Sequence, residues 1–363
     1  MHAERRDRMR ERCSAAGLDA ALVTRPANVR WLTGSDTVAA LLLTRDGAEA
    51  AAAGLGGTPE SDGGCSMLPV PPGTDPAVLL AARCRGRTLG VEEHDLTVAR
   101  HRAVAAATPA VEHLRDLGRA VEQLRTVKDE EEISCLRIAG EIADQALGEL
   151  LESILVGRTE RHLAMELERR MIDHGADSAA FPTRVGSGDH SGRADHSSGD
   201  RRVEDGDFLT VALGACYRGY RTAATRTFVV GLSPADWQSE LHRQVFAAQR
   251  AAREALAVGG GYDEADRAAR RVLGAAGQPP SDGAGTAVRG GVGAGVGLEI
   301  GEEPRLGPLE LGKLDNRVPV TVGVGVCIPG RGGVRIEDTL VVRPSEDGGP
   351  ELLTITTKEL LAL

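Results

Sequence analysis

The amino-acid sequence predicts a two-domain α+β protein, and three features carry that expectation. At 363 residues the chain is longer than one hydrophobic core ordinarily organises. Near Asp116 to Gly118 the pattern changes from alternating helix and strand signals to long amphipathic helices. Beyond that point two helical stretches lead into strand-like runs, and the same order then recurs.

Within the first third, Arg5 to Ala16 reads as an amphipathic helix stopped by Gly17. Ala20 to Thr24 and Ala39 to Leu43 are apolar runs of strand length, the second ending near Asp46-Gly47. Helix and strand patterns alternate as βαβ-type packing requires, which predicts a small α/β domain over 1–120. The remainder, 121–363, is the second domain. A helix is expected after Thr126, with Asp129 three residues on completing a capping box. Its apolar stripe runs through Ile133, Leu136, Ala139, Ala143, Leu147, Leu150 and Ile154. The next helix starts near Thr159 and stops at Gly175, and strands fill the stretch from Phe181 to Val230. In the second round, Ser233-Pro234 supplies a cap and a first-turn proline. Trp237, Leu241, Val245, Ala248, Ala252 and Leu256 form the buried stripe of that helix. A further helix covers Asp263 to Ala276, and strands occupy Ala294 to Arg343.

Composition excludes several classes of partner. Aromatic residues are 2% of the chain, so its core rests on Leu, Val, Ile and Ala. The net charge of −10 argues against nucleic acid, which demands a concentrated basic face. No run approaches the roughly 20 apolar residues of a membrane span, and the charged opening MHAERRDRMRERC is no signal peptide. Six cysteines without CxxC spacing read as thiols in a reducing compartment, so a cytoplasmic protein is expected.

Few chemical motifs stand out from the residues alone. SGDHSGRADHSSGD gathers His190, His196, Asp189, Asp195 and Asp200, and reads as a polar loop with solvated charges in preference to a metal site. GGVGAGVG at Gly290 to Gly297 matches a dinucleotide loop superficially, but LEI continues a strand where a helix is required. Cys216 and Cys327 have no adjacent histidine, and Ser187 and Ser191 no triad context.

Four segments together carry a more specific signal: NVRWLTGS, RVEDGDFLTVALGACYRGYRTAATRTFVVG, GVGAGVGLEIGEEPRL and VTVGVGVCIPGRGGVRIEDT, in that order. With these the chain resembles the creatinase/aminopeptidase P/prolidase family (metallopeptidase M24) over most of its length. The resemblance implies a pita-bread C-terminal domain of α+β class behind a smaller creatinase-like α/β domain. It also implies two divalent cations sharing a water, held by two aspartates, a histidine and two glutamates. At the matching positions this sequence has Ala212, Ala223, Ala294 and Gly323, and retains Glu337 alone; two assisting histidine positions read Gly290 and Gly301. On that count the chain is expected to be a divergent member with no metal and no other cofactor.

By motif, His196 falls on the histidine that assists proton transfer in the family and is the general acid/base in creatinase. Creatinase's other polar positions read Ala294, Thr225 and Gly323, so the substrate would be gripped differently. Arg193, Arg221, Arg289 and Arg335 lie in or beside cavity-lining segments and are the candidate substrate-binding residues; Arg221 or Arg335 is expected to neutralise Glu337. The function expected from these readings is a metal-independent hydrolase or lyase acting on a small polar substrate, with His196 and Glu337 as catalytic residues. The alternative is a pseudoenzyme kept as a binding module. The resemblance further implies a homodimer.

Overall fold

The structure, a computed structural model, describes residues 1–53, 64–108, 110–153, 155–278 and 290–363. It forms two compact units, Met1–Arg125 and Thr126–Leu363. In the first, a six-stranded sheet is built from β1 (Ala20–Val23), β2 (Val38–Thr44), β3 (Ala48–Ala53), β4 (Ser66–Val70), β5 (Thr88–Val91) and β6 (His113–Asp116), in the order β4-β3-β2-β1-β5-β6. Among the described residues five helices accompany it: α1 (His2–Ala15), α2 (Pro26–Thr33), α3 (Pro76–Ala81), α4 (Val98–Ala107) and α5 (Ala120–Arg125). Its core is aliphatic, with Leu22, Leu42, Leu80, Leu89 and Val104 packed together. The carboxylate of fully buried Glu92 ties the end of β1 to α2 by accepting from Thr24 N (2.6 Å), Arg25 N (2.8 Å) and Asn28 Nδ2 (2.6 Å).

The second unit builds its helices and strands in two rounds. α6 (Glu130–Leu151) and α7 (Glu160–Asp173) precede β7 (Ser178–Ala179), β8 (Arg184–Ser187), β9 (Phe208–Leu213), β10 (Ala215–Tyr217), β11 (Tyr220–Arg221) and β12 (Ala224–Val229). α8 (Asp236–Glu254) and α9 (Glu264–Ala275) precede β13 (Gly293–Val296), β14 (Ile300–Leu306), β15 (Pro319–Ile328), β16 (Gly332–Val341) and β17 (Glu351–Leu352). The large sheet runs β14-β13-β15-β16-β12-β9-β8, with β17 on β16. Helix, helix, strands therefore occurs twice, as the patterning predicted, and each helix pair packs on its own half of the sheet.

Two caps fall later than the sequence placed them. Helix α6 is capped by Asp129, which accepts from Glu132 N while the Glu132 side chain accepts from Asp129 N; residues 126–128 stay outside the helix, and Lys128 N bonds to Arg317 O. Helix α8 starts after Ala235, whose N–H is satisfied by the Gln238 side chain (2.9 Å). In both cases a side-chain bond from the third helical residue back to the cap N–H fixes the start of the helix, and only at α6 is it reciprocated by the cap's own side chain. Ile154 lies outside the described residues. Among the described residues, no helix is long and apolar enough to cross a membrane.

Strand alternation decides which sheet face the helices cover. In β15, Val320, Val322, Val324 and Val326 join the helix-side core, whereas the intervening positions are Thr321, Gly323 and Gly325. β16 alternates likewise: Val334, Ile336 and Leu340 face the helices, and Arg335, Glu337 and Thr339 fall on the other face. The helix-side face is mostly apolar, with the buried Asp338–Arg226 pair set into it; the other carries mainly small or polar side chains.

Candidate functional site

Register assembles the polar face row by row. Arg184 of β8 pairs with Ala212 of β9, Ala212 with Thr225 of β12, Thr225 with Glu337 of β16, and Glu337 with Gly323 of β15. A neighbouring row sets Gly186 against Thr210, Thr210 against Thr227, and Arg335 against Gly325. Ala223 lies two residues before Thr225, and Ala294 pairs with Thr321, two residues before Gly323. All five positions at which the resemblance expects metal ligands thus share one face, and four carry a methyl group or no side chain. Ala212, Ala223, Ala294 and Glu337 are buried there.

A cleft opens on this face, lined by Arg184, Gly186, His190, Gly192, Arg193, Ala194, His196, Thr210, Ala212, Thr225 and Arg335. Its charge is positive. Three arginines and two histidines line it, and no carboxylate does among the described residues. Glu337 is 1% exposed and accepts from Thr225 Oγ1 at 3.0 Å, so it touches the cleft through that hydroxyl. Burial holds the Arg335 guanidinium below its ordinary range, and Glu337, two residues along the same strand, opposes that shift. Arg193 is half exposed, 3.8 Å from Asp195. Arg221 is elsewhere, its Nη1 donating to Ala180 O (2.6 Å) and its N–H to Gly297 O (2.8 Å). Arg289 lies outside the described residues.

The SGDHSGRADHSSGD loop is only partly the solvated segment the sequence suggested. Asp189, Asp195 and Asp200 are exposed, but the two histidines turn inward onto Glu160, which opens α7 just after its cap Thr159 and is fully buried. Glu160 Oε1 lies 3.0 Å from His190 Nδ1 and also accepts from Ser187 N (2.8 Å) and Ser187 Oγ (2.9 Å). Its Oε2 lies 2.8 Å from His196 Nε2 and accepts from Gly199 N (3.1 Å). The imidazole rings are 4.3 Å apart and tilted by 32°. Burial raises the Glu160 pKa, but hydrogen bonds from Ser187, Gly199 and both histidines outweigh it and hold the carboxyl below its usual range.

Glu160 was not singled out from the sequence. An acid in the first turn of a helix reads as an ordinary complement to the helix dipole. The one available hint was that Thr159 already supplies the cap, accepting from His162 N, and leaves Glu160 without that job.

Comparison with known proteins fits this architecture. Residues 134–344 match metallopeptidase family M24, and residues 5–127 match the creatinase/prolidase N-terminal domain. An Xaa-Pro dipeptidase of Pyrococcus furiosus is 37% identical over 251 residues, 69% of each chain. The uncharacterized peptidase YqhT of Bacillus subtilis is 32% identical over 367 residues, 98% of this chain and 99% of that one. Among solved structures, an Xaa-Pro dipeptidase from Bacillus anthracis superposes with a TM-score of 0.90 at 30% identity, covering both chains fully. The prolidase from Pyrococcus horikoshii OT3 gives 0.85 at 29% identity, covering 98% of this chain and 99% of that one.

These findings overturn the expectation of a metal-independent hydrolase or lyase, and that of a pseudopeptidase kept as a binding module. Three of these relatives are named Xaa-Pro dipeptidase or prolidase, and the family they share with this chain is one of metallopeptidases. In the sequence His190 and His196 read as part of a polar loop in preference to a metal site, because Glu160, the carboxylate they meet beside the cleft, lies outside that loop. With both domains matched in order, and both folds superposing on the same relatives, the chain belongs to metallopeptidase family M24, of creatinase-like pita-bread fold.

Proposed function

We propose that this chain hydrolyses the peptide bond of short peptides bearing a free C-terminal carboxylate, Xaa-Pro dipeptides first among them. The observation that carries this reading is the likeness to an Xaa-Pro dipeptidase over the full length of both chains. The cleft supports the substrate class: Arg184, Arg193 and Arg335 give it a cationic lining suited to a carboxylate, which a planar guanidinium can hold with two parallel bonds. In this scheme Arg335 anchors the carboxylate and Glu337 keeps Arg335 charged. His196 lines the same cleft with its Nε2 2.8 Å from Glu160 Oε2, and is the proton carrier of this scheme, taking a proton from the attacking water and passing it to the departing nitrogen.

The pair of cations that the family resemblance implies does not fit the sheet positions. Methyl groups and glycines stand at Ala212, Ala223, Ala294 and Gly323, and one carboxylate cannot hold two dications. We therefore read the chain as a divergent member lacking those ligands, and draw no step through a sheet-bound pair. A homodimer acting in the cytoplasm completes the proposal.

The test is release of proline from Xaa-Pro dipeptides by the purified chain, supplied with divalent cations, against the same dipeptides carrying a C-terminal amide. Hydrolysis of the free acids is expected, with KM roughly tenfold higher for the amides and a similar rise for Arg335→Lys. Equal KM for acid and amide would remove the arginine anchor. No proline release under any condition would remove the activity.

A further inference from the structure

Glu160, His190 and His196 come from three separate stretches: the first turn of α7, the turn after β8, and the loop that follows. Each offers one ligand atom, and the three atoms lie within 4.8 Å of one another. A carboxylate has about four lone-pair sites, two on each oxygen. As a pure hydrogen-bond cluster, Glu160 would have to accept five donors, three of them on Oε1: Ser187 N, Ser187 Oγ and His190 Nδ1. That oxygen is oversubscribed.

A cation held through Oε2 removes the excess, leaving Ser187 N and Ser187 Oγ on Oε1 and Gly199 N beside the ion on Oε2. Both imidazole nitrogens then present lone pairs to the ion and donate nothing to Glu160, which keeps the two backbone N–H groups and the Ser187 hydroxyl. Those remaining donors hold the carboxylate from behind, as outer partners of metal ligands do, and Arg201 Nη1 in turn donates to Ser187 Oγ at 2.7 Å. Both histidines also line the cleft, so a fourth coordination position would face substrate or water. We propose that Glu160, His190 and His196 form a mononuclear site for a first-row transition-metal dication, distinct from the sheet positions of the family.

Two imidazoles and one carboxylate, with one position open, suit zinc or cobalt over magnesium or calcium, which prefer an all-oxygen shell. The ion would add positive charge beside Arg184 and Arg193, so the cleft would select anionic ligands more strongly when it is bound. Neither point depends on the substrate proposed above.

The experiment reads metal directly. The full chain, stripped with a chelator, is titrated with Co(II) by visible absorption and with Zn(II) by calorimetry near neutral pH. One equivalent should bind with Kd below about 1 µM. His190→Ala and His196→Ala should each weaken binding by roughly 100-fold or more, while Glu337→Gln leaves it unchanged. Circular dichroism checks the fold of each variant; should Glu160→Gln fail to fold, the two histidine variants carry the test. Weaker binding to the parent chain, binding unaffected by both histidine substitutions, or binding lost in Glu337→Gln would each overturn the site.

Discussion

Asp338 offers the sharpest test of how the second unit holds its sheet. It lies on the helix side of β16, fully buried, and its Oδ1 accepts from Arg226 Nη2 at 2.8 Å and Thr354 Oγ1 at 3.3 Å. Its Oδ2 accepts from Gln249 Nε2 of α8 at 2.8 Å, and Lys358 Nζ lies 3.3 Å from Oδ1. Arg226 is 1% exposed, so Asp338→Ala strands a buried guanidinium. Removing one partner of such a pair costs about 3–5 kcal/mol. The lower end is expected here, because Arg226 keeps backbone acceptors at Thr225 O (2.9 Å), Glu337 O (2.6 Å) and Thr356 O (2.9 Å). Lys358, whose burial already lowers its pKa, can also shed its proton. Urea unfolding followed by fluorescence suits the measurement: the chain has two tryptophans, and in a Trp31→Phe background Trp237 reports the second unit alone. The midpoint should fall by about 1–2 M. High salt should leave the difference intact, since a buried pair is poorly screened. A loss under about 1 kcal/mol would refute the reasoning, because it would mean that Arg226 needs no counter-charge.

Two further outcomes follow from local geometry. Burial pushes the His242 pKa down to about 4, against a minor opposing bond to Lys358, so the unfolded chain takes up its proton first as the pH falls. The stability this residue contributes is complete above pH ~6.5 and declines toward pH ~4, by about 2 kcal/mol between pH 7.5 and 5; His242→Gln should abolish that component in denaturant titrations at the two pH values, and an unchanged pH slope would contradict it. A Cβ at Gly140 of α6 would sit 2.1 Å from Leu353 O, whereas one at Gly148 of the same helix meets nothing within 4 Å. Gly140→Ala should therefore destabilise the unit by about 1–3 kcal/mol, and Gly148→Ala should stabilise it by up to about 1 kcal/mol; thermal melts with the same sign for both would negate the packing argument.

Much of the fold was legible because it is written in periodicity. The valines of VTVGVGV fall at every second residue, and that spacing alone puts them on one face of β15 and Thr321, Gly323 and Gly325 on the other. The stripes Leu136, Ala139, Ala143 and Val245, Ala248, Ala252 likewise announced α6 and α8 by their spacing. Cap positions were less legible. Thr126 and Ser233 are sound caps by residue type, and competition from Glu132 and Gln238 is resolved only when the first turn forms.

The amino-acid order by itself determined the family, the twice-repeated element order and the set of small residues on the polar sheet face, since each depends on neighbours within one strand or helix. Tertiary structure alone decided that Glu160 meets His196, 36 positions away, and that Arg335 lines the cleft while Arg221 turns toward Ala180. Such meetings are fixed by strand register and by where a helix end lands against a loop, and those depend on packing between segments that no local spacing encodes.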